Sequence, residues 1–407
     1  MPDFGGDTDA FRNEAKAWLE ANFPPSLKGR ASLSAGEGPA VVNADLDAWT
    51  KAMGEKGWGV PTWPKKYGGG GLTPAEARVL QQEMNKIGAW NPIGGMGTMM
   101  FGPTLLEFGT EEQKMEHIPA IATQKVRWCQ GFSEPGAGSD LASLSTKAED
   151  KGDHFLINGQ KIWTSGGQWA DMCFCLVRTD TTKKHEGISF LLIDMHQPGV
   201  EVRPIKLIAG ASPFCETFFT DAVAPKKNLV GPLNGGWNIA KRLLQHERSG
   251  ISGGGGAGSR GGGMFGVGGS PAEIAKEYVG VDGAGRIADS DLRSRVVSHE
   301  MDAKAFQLTA IRTMVESKSN QGPSAATSIM KNAGTKVGQD RAELIIEIMG
   351  HQGLGWEGEG FSAEELSFVR GWLGGKATTI FGGSQEIQSN IISKRILGLP
   401  DPLNNSN

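Results

Sequence analysis

The sequence predicts an α+β chain of several domains, helical at both ends with a β domain between. Two observations carry that expectation. Apolar residues recur at helical spacing up to about residue 124 and again after Trp237, and between them the pattern changes to short β-favouring runs broken by Gly, Asp and Pro. Length agrees, because 407 residues exceed the ~150 of a typical domain and suffice to bury a real core.

Residues 1–124 read as the first helical domain. Phe11, Ala15, Trp18 and Leu19 recur in steps of three and four, Leu46, Trp49 and Met53 repeat the theme, and Pro24-Pro25 stops the first helix. Thr73-Pro74-Ala75-Glu76 places a capping threonine before a proline at the first helical position and a glutamate at the third, which predicts a helix over 77–87. Residues 125–233 read as the β domain, with strands around His154–Ile157, Cys173–Val177 and Ile188–Ile193. Residues 234–407 return to the helical period at 238–247, 291–318, 325–349 and 386–397. Within them, Gly250–Gly269 holds twelve glycines in twenty residues. At ~1 kcal/mol of helix cost per glycine this segment is expected to be a loop. Gly261-x-Gly263-x-x-Gly266 matches a dinucleotide fingerprint by letters, but it follows a helix rather than a strand.

Composition excludes several classes. Net charge is −4, with 41 basic and 45 acidic residues interleaved, so the basic footprint of a nucleic-acid binder is missing. Cys129, Cys173, Cys175 and Cys215 are too few and too unevenly spaced for a disulfide framework and are expected to be reduced. Seven histidines lack helical pairing, and no metal is expected. An acidic, glycine-containing amino terminus and the absence of an apolar run near ~18 residues predict a cytoplasmic protein without a membrane span.

Two stretches carry chemistry. In Cys129-Gln130-Gly131-Phe132-Ser133-Glu134-Pro135-Gly136-Ala137-Gly138-Ser139-Asp140, glycines let backbone approach a large planar or phosphorylated ligand while serines offer hydroxyls. Alone it also fits an ordinary turn. In Gly159-Gln160-Lys161-Ile162-Trp163-Thr164-Ser165-Gly166-Gly167, an indole face suits an isoalloxazine ring beside a serine hydroxyl, although a core tryptophan fits as well.

Together, in this order, the stretches resemble the acyl-CoA dehydrogenase family, whose pattern T/S-E-P-x-A-G-S-D then W-[IT]-[TS]-[NS]-G is met almost letter for letter. Tyr67–Leu72, Phe108–Gln113, Gly350–Gly353 and Phe381–Gln388 extend the likeness over nearly the whole chain. The resemblance implies an N-terminal helical domain, a middle β-barrel or sandwich and a C-terminal four-helix bundle. It implies FAD held by Gln130, Phe132, Ser133, Gly138, Ser139, Trp163, Ser165, Ser384 and Glu386, with Ser139, Arg248 and Gly382 near the substrate. An acyl-CoA substrate, an electron-transfer flavoprotein as acceptor, and a homodimer or tetramer follow by the same likeness.

Removing an α proton requires an aimed carboxylate. Many family members carry a glutamate right after the aromatic of the carboxy-terminal motif, where this chain has Gly382. A minority place it on the first helix of the last domain, just before an arginine, and Glu247-Arg248 stand there. The resemblance therefore implies Glu247 as the base, acting to give a trans-2-enoyl-CoA. Glu134, inside the first stretch, is expected to be structural. A non-catalytic partner subunit of a heteromer and an oxygen-using oxidase are the alternatives.

Overall fold

The computed structural model describes residues 8–30, 39, 41–253, 269–316 and 326–400, with side chains throughout except at 247–253, 314–316 and 326. The chain divides into two compact units, residues 1–206 with 212–244, and residues 207–211 with 245–407.

Among the described residues, the first unit opens with the α-helices α1 (Asp9–Asn22), α2 (Ala44–Glu55), α3 (Pro74–Ile87), α4 (Gly102–Phe108) and α5 (Glu111–Ala122). The sequence starts α3 chemically: the Glu76 amide donates to Thr73 Oγ1 at 3.2 Å, and the Thr73 amide donates back to the Glu76 carboxylate at 2.8 Å. Thr110 and Gln113 repeat the box at α5, and each such cap is worth about 1 kcal/mol. Aromatic side chains pack these helices. Trp49 is fully buried, meets Trp18 and Phe23 at 5.7 and 5.2 Å between ring centroids, and donates its indole N–H to the Trp90 carbonyl.

The same unit holds an eight-stranded, mainly antiparallel sheet: β1 (Trp128–Gly131), β2 (Lys147–Asp150), β3 (His154–Ser165), β4 (Met172–Arg178), β5 (Ile188–Asp194), β6 (Val200–Ile205), β7 (Phe214–Pro225) and β8 (Leu229–Val230). The order is β6-β7-β3-β2-β4-β5-β8, with β1 parallel to β4 so that Cys129 faces Cys173. β4 and β5 are apolar on both faces, which is why they read as continuous hydrophobic runs. One face sends Phe174, Leu176 and Phe190 into a core shared with Phe101 of the helical segment, Phe101 lying 5.4 Å from Phe174 with rings nearly parallel. The other face buries Phe155, Ile157, Cys173, Cys175, Leu191 and Ile193. All four cysteines are buried free thiols.

The last part of the chain carries α6 (Gly236–Gly253), α7 (Pro271–Val279), α8 (Ser290–Glu316), α9 (Ala326–Met349), α10 (Ala363–Gly375) and α11 (Gln385–Ile391). In the second unit α7, α8, α10 and α11 all pack on α9, with Ile274, Val296, Ile345 and Phe368 in the core. One expectation is corrected here. The loop expected to begin at Gly250 begins later, because α6 continues to Gly253. A glycine in the last turn of an amphipathic helix costs only ~1 kcal/mol, which a packed helix upstream absorbs. Residues 254–268 of that segment lie outside the described residues. Among the described residues, no helix is long and apolar enough to cross a membrane.

Candidate functional site

β1 delivers Gln130 and then turns into the loop that carries Phe132 to Asp140. Gly131 must lack a side chain, since a Cβ there would stand 2.8 Å from the Cys173 sulfur and 2.9 Å from that of Cys175. Phe132 is buried edge-on to Phe174 and Phe190. The loop closes on itself through reciprocal Glu134–Ala137 backbone bonds of 2.9 and 3.0 Å, and the Ser133 carbonyl accepts from the Ile162 amide of β3.

Glu134 anchors this loop. Its carboxylate accepts from Lys161 Nζ at 2.7 Å, from the Ser145 amide and hydroxyl at 2.7 and 2.8 Å, and from the Thr146 amide at 2.9 Å. Burial alone would raise its pKa, but the Lys161 charge and these donors overcome it and hold the carboxyl down at about 2. A carboxylate so engaged is a strut, not a base. Lys161, itself fully buried, also donates to the Phe132 carbonyl at 3.2 Å. Arg178 completes the support from β4 by donating to the carbonyls of Ala142 and Leu144. Lys161 was absent from the expected site residues. Its signal is strand phase: it is in step with the buried Phe155 and Ile157 of β3, where a lysine needs a buried partner.

Trp163 sits at a bulge in β3. Pairing with β7 passes from Lys161–Thr217 to Thr164–Cys215, so β3 spends one residue more than its partner. Trp163 takes φ = +63°, unusual for a side chain of this size, and is 52% exposed, touching Phe214 edge-on at 6.1 Å. The bulge turns its indole outward while Thr164 stays buried, bonded to the Thr217 hydroxyl at 3.1 Å. Ser165 is buried and opens on a cleft that also meets Gly97, Arg127, Trp128 and Trp169.

These residues fit a large planar cofactor. The Gln130 side-chain nitrogen is buried with no partner. Gly136 and Gly138 have nothing within 4 Å of where a Cβ would stand, so the fold itself does not demand glycine there. An exposed indole on a strained residue is equally unexplained by packing. Ser139, in the same loop as Gly136 and Gly138, is exposed.

In the second unit, Gly382 and Gly383 adopt φ = +64° and +88°. Ser384 then caps α11, its hydroxyl accepting from the Ile387 amide at 3.4 Å. Glu386 is exposed in the first turn, its pKa lowered by the Ser384 hydroxyl. Glu247 and Arg248 occupy α6, but their side chains lie outside the described residues. The fold thus brings together Gln130 of β1, Phe132 and Ser133 of the loop that follows it, and Trp163 and Ser165 of β3, and it groups Gly382, Ser384 and Glu386 at the start of α11.

Comparison with known proteins matches nearly the whole chain. The acyl-CoA dehydrogenase N-terminal, middle and C-terminal domains match residues 6–125, 129–222 and 234–397. The chain belongs to the acyl-CoA dehydrogenase family. Acyl-CoA dehydrogenase IpdE1 of Mycolicibacterium smegmatis is 34% identical over 412 residues, covering 97% of this chain and 98% of that protein. Among solved structures, the Tcur3481-Tcur3483 steroid ACAD superposes with a TM-score of 0.75 at 28% identity over 98% of this chain and 99% of that one. The ChsE4-ChsE5 complex from Mycobacterium tuberculosis gives 0.73 at 28% over 98% and 100%. The protein is accordingly an oxidoreductase of an FAD-binding family.

Proposed function

We propose that this acyl-CoA dehydrogenase family member oxidises a bulky acyl-CoA thioester between its α and β carbons, giving the trans-2-enoyl-CoA, with Glu247 as the base. The observation that carries the reading is Trp163, held outward at φ = +63° beside the buried Ser165. An indole in that position offers a flat apolar face to a ring system, and Ser165 offers a hydroxyl to its edge. Gln130, Phe132, Ser133, Gly138 and Ser139 of the first loop, with Ser384 and Glu386 of the last turn, complete the proposed FAD contacts. Bound FAD supplies the acceptor for the β hydrogen as hydride.

The chain's own residues do the rest. Glu247 takes the α proton onto a carboxylate oxygen. The Gly382 amide donates to the thioester carbonyl, where negative charge develops, and needs no side chain for that role. Arg248 and Ser139 contact the substrate. Segments 1–124, 125–233 and 234–407 are the proposed domains. Bulk in the acyl group is supported by Gly382, which leaves room where other members carry a glutamate, and by the steroid named for the Tcur3481-Tcur3483 neighbour. The expected acceptor is an electron-transfer flavoprotein, and the expected location is the cytoplasm.

A second reading is favoured by two neighbours, the Tcur3481-Tcur3483 and ChsE4-ChsE5 assemblies, whose names each pair two proteins: this chain works with a second, related subunit. Purifying the chain alone, recording its visible spectrum and assaying a panel of straight, branched and ring-bearing acyl-CoAs with an artificial electron acceptor tests both. A yellow protein that turns over ring-bearing thioesters fastest supports the first. Colour and turnover gained only with a partner subunit support the second, and flavin with no turnover in either form refutes the assignment.

A further inference from the structure

The proposed donor to the thioester carbonyl lies in a turn with little intrinsic rigidity. Two consecutive glycines at φ = +64° and +88° have more backbone freedom than any other dipeptide, so something must hold them. Two buried side chains do. Gln388, 1% exposed, donates from Nε2 to the Gly382 carbonyl at 2.8 Å and lies 3.5 Å from that of Gly383. Lys331, also 1% exposed, reaches from α9 to donate to the Gly383 carbonyl at 2.6 Å. α9 holds the flanking backbone as well: Asn332 Nδ2 donates to the Gln385 carbonyl at 3.4 Å, and Gln339 Nε2 to those of Gly375 and Lys376 at 3.1 Å.

We propose that Lys331 and Gln388 are positioning residues for the reaction, a clamp that fixes the Gly382–Gly383 turn by its carbonyls so that the Gly382 amide is held ready for the substrate. This rests on the role given above to that amide. The physical argument is planarity. Each peptide is a rigid trans unit, and the Gly382 N–H belongs to the 381–382 peptide. The peptide before it is held by the Phe381 amide, which donates to the Ala377 carbonyl at 3.1 Å, and the two after it are held by their carbonyls, that of Gly382 from Gln388 and that of Gly383 from Lys331, so the plane carrying the Gly382 N–H is fixed from both sides. A buried ammonium is costly to desolvate, and a helix needing only packing at residue 331 would carry an apolar side chain of similar length. Gly383 fits the same logic, since a Cβ there would stand 2.5 Å from Gln388 Nε2.

The test uses the full-length, FAD-loaded protein and a thioester it turns over, comparing wild type with Lys331→Met, Lys331→Arg and Gln388→Met, all rates expressed per bound flavin. Losing one charge-assisted hydrogen bond that acts on the reacting geometry should lower kcat by about 10- to 100-fold in Lys331→Met. KM should change by less than about threefold, and Lys331→Arg should recover most of the loss, since only a donor is required. Gln388→Met should lower kcat in the same way without touching the buried charge. The clamp is refuted if either Met variant keeps kcat per flavin within about twofold of wild type. It is equally refuted if both lose activity only in proportion to lost folded, flavin-bound protein, which marks a purely structural role. A wild-type chain that binds no FAD or turns over no thioester would instead overturn the functional reading beneath it.

Discussion

Replacing Lys161 by Met removes the cation under the 132–140 loop and leaves Glu134 buried with three hydrogen-bond donors, the Ser145 amide and hydroxyl and the Thr146 amide. Glu134 titrates at about 2 in the folded protein against an ordinary 4.5. A depressed carboxyl stabilises the fold above its unfolded value, so the contribution is complete above pH 4.5 and disappears as pH falls from there towards 2. Its size is about 3 kcal/mol. Breaking a buried pair from one side costs about 3–5 kcal/mol, and the remaining donors place the expected loss near the lower end, equivalent to about 10 °C in melting temperature. Thermal melts by circular dichroism from pH 7 to pH 3 measure it. Lys161→Met should show its full deficit at pH 7 and a shrinking one below pH 4.5. Adding Glu134→Gln should recover about half, because removing both charges is far cheaper than stranding one. A single variant melting within about 2 °C of wild type, or a double variant no better than the single, would refute the account of the loop's anchorage.

Three further outcomes are expected. Trp163→Gly and Trp163→Ala should both lose FAD affinity in a flavin titration, but apoprotein with Gly should be about 1 kcal/mol more stable to urea than with Ala, since only Gly adopts φ = +63° without strain; equal stabilities would deny the strained backbone. Gly131→Ala should destabilise by about 1–3 kcal/mol, because the new methyl meets the Cys173 and Cys175 sulfurs below 3 Å and they lie in a closed core; chemical denaturation reads it. Glu247→Gln should retain FAD and lower kcat by about 10²- to 10⁴-fold, the usual range for a general base; full turnover would move the base elsewhere.

Local chemistry was the legible part of the fold. The Thr73-Pro74-x-Glu76 signal starts α3 as expected, and the runs at Cys173–Val177 and Ile188–Ile193 are the buried strands β4 and β5. The regularity of β3 hid its bulge: nothing in Ile162-Trp163-Thr164 announces that pairing with β7 skips a residue, because the skip depends on a strand some fifty residues away. Glu134 is expected to be structural and is found anchoring its loop, but its partner was not foreseen, since Lys161 lies 27 positions along the chain and only the pairing of loop and strand brings them together. Lys331 was missed for the same reason, and Gln388 for a different one. Each is unremarkable in its own helix; Lys331 reaches a carbonyl 52 positions along the chain, and Gln388 folds back six positions onto a glycine turn whose conformation the letters alone do not give.

We propose that this chain holds FAD and that Glu247 removes the α proton. Anaerobic mixing with a ring-bearing acyl-CoA in a stopped-flow spectrophotometer tests it most directly. Wild-type protein should bleach in the flavin absorbance band within a single turnover, and Glu247→Gln, with the same flavin content, should bleach at least about 100-fold more slowly. Equal bleaching rates in the two proteins would contradict the claim.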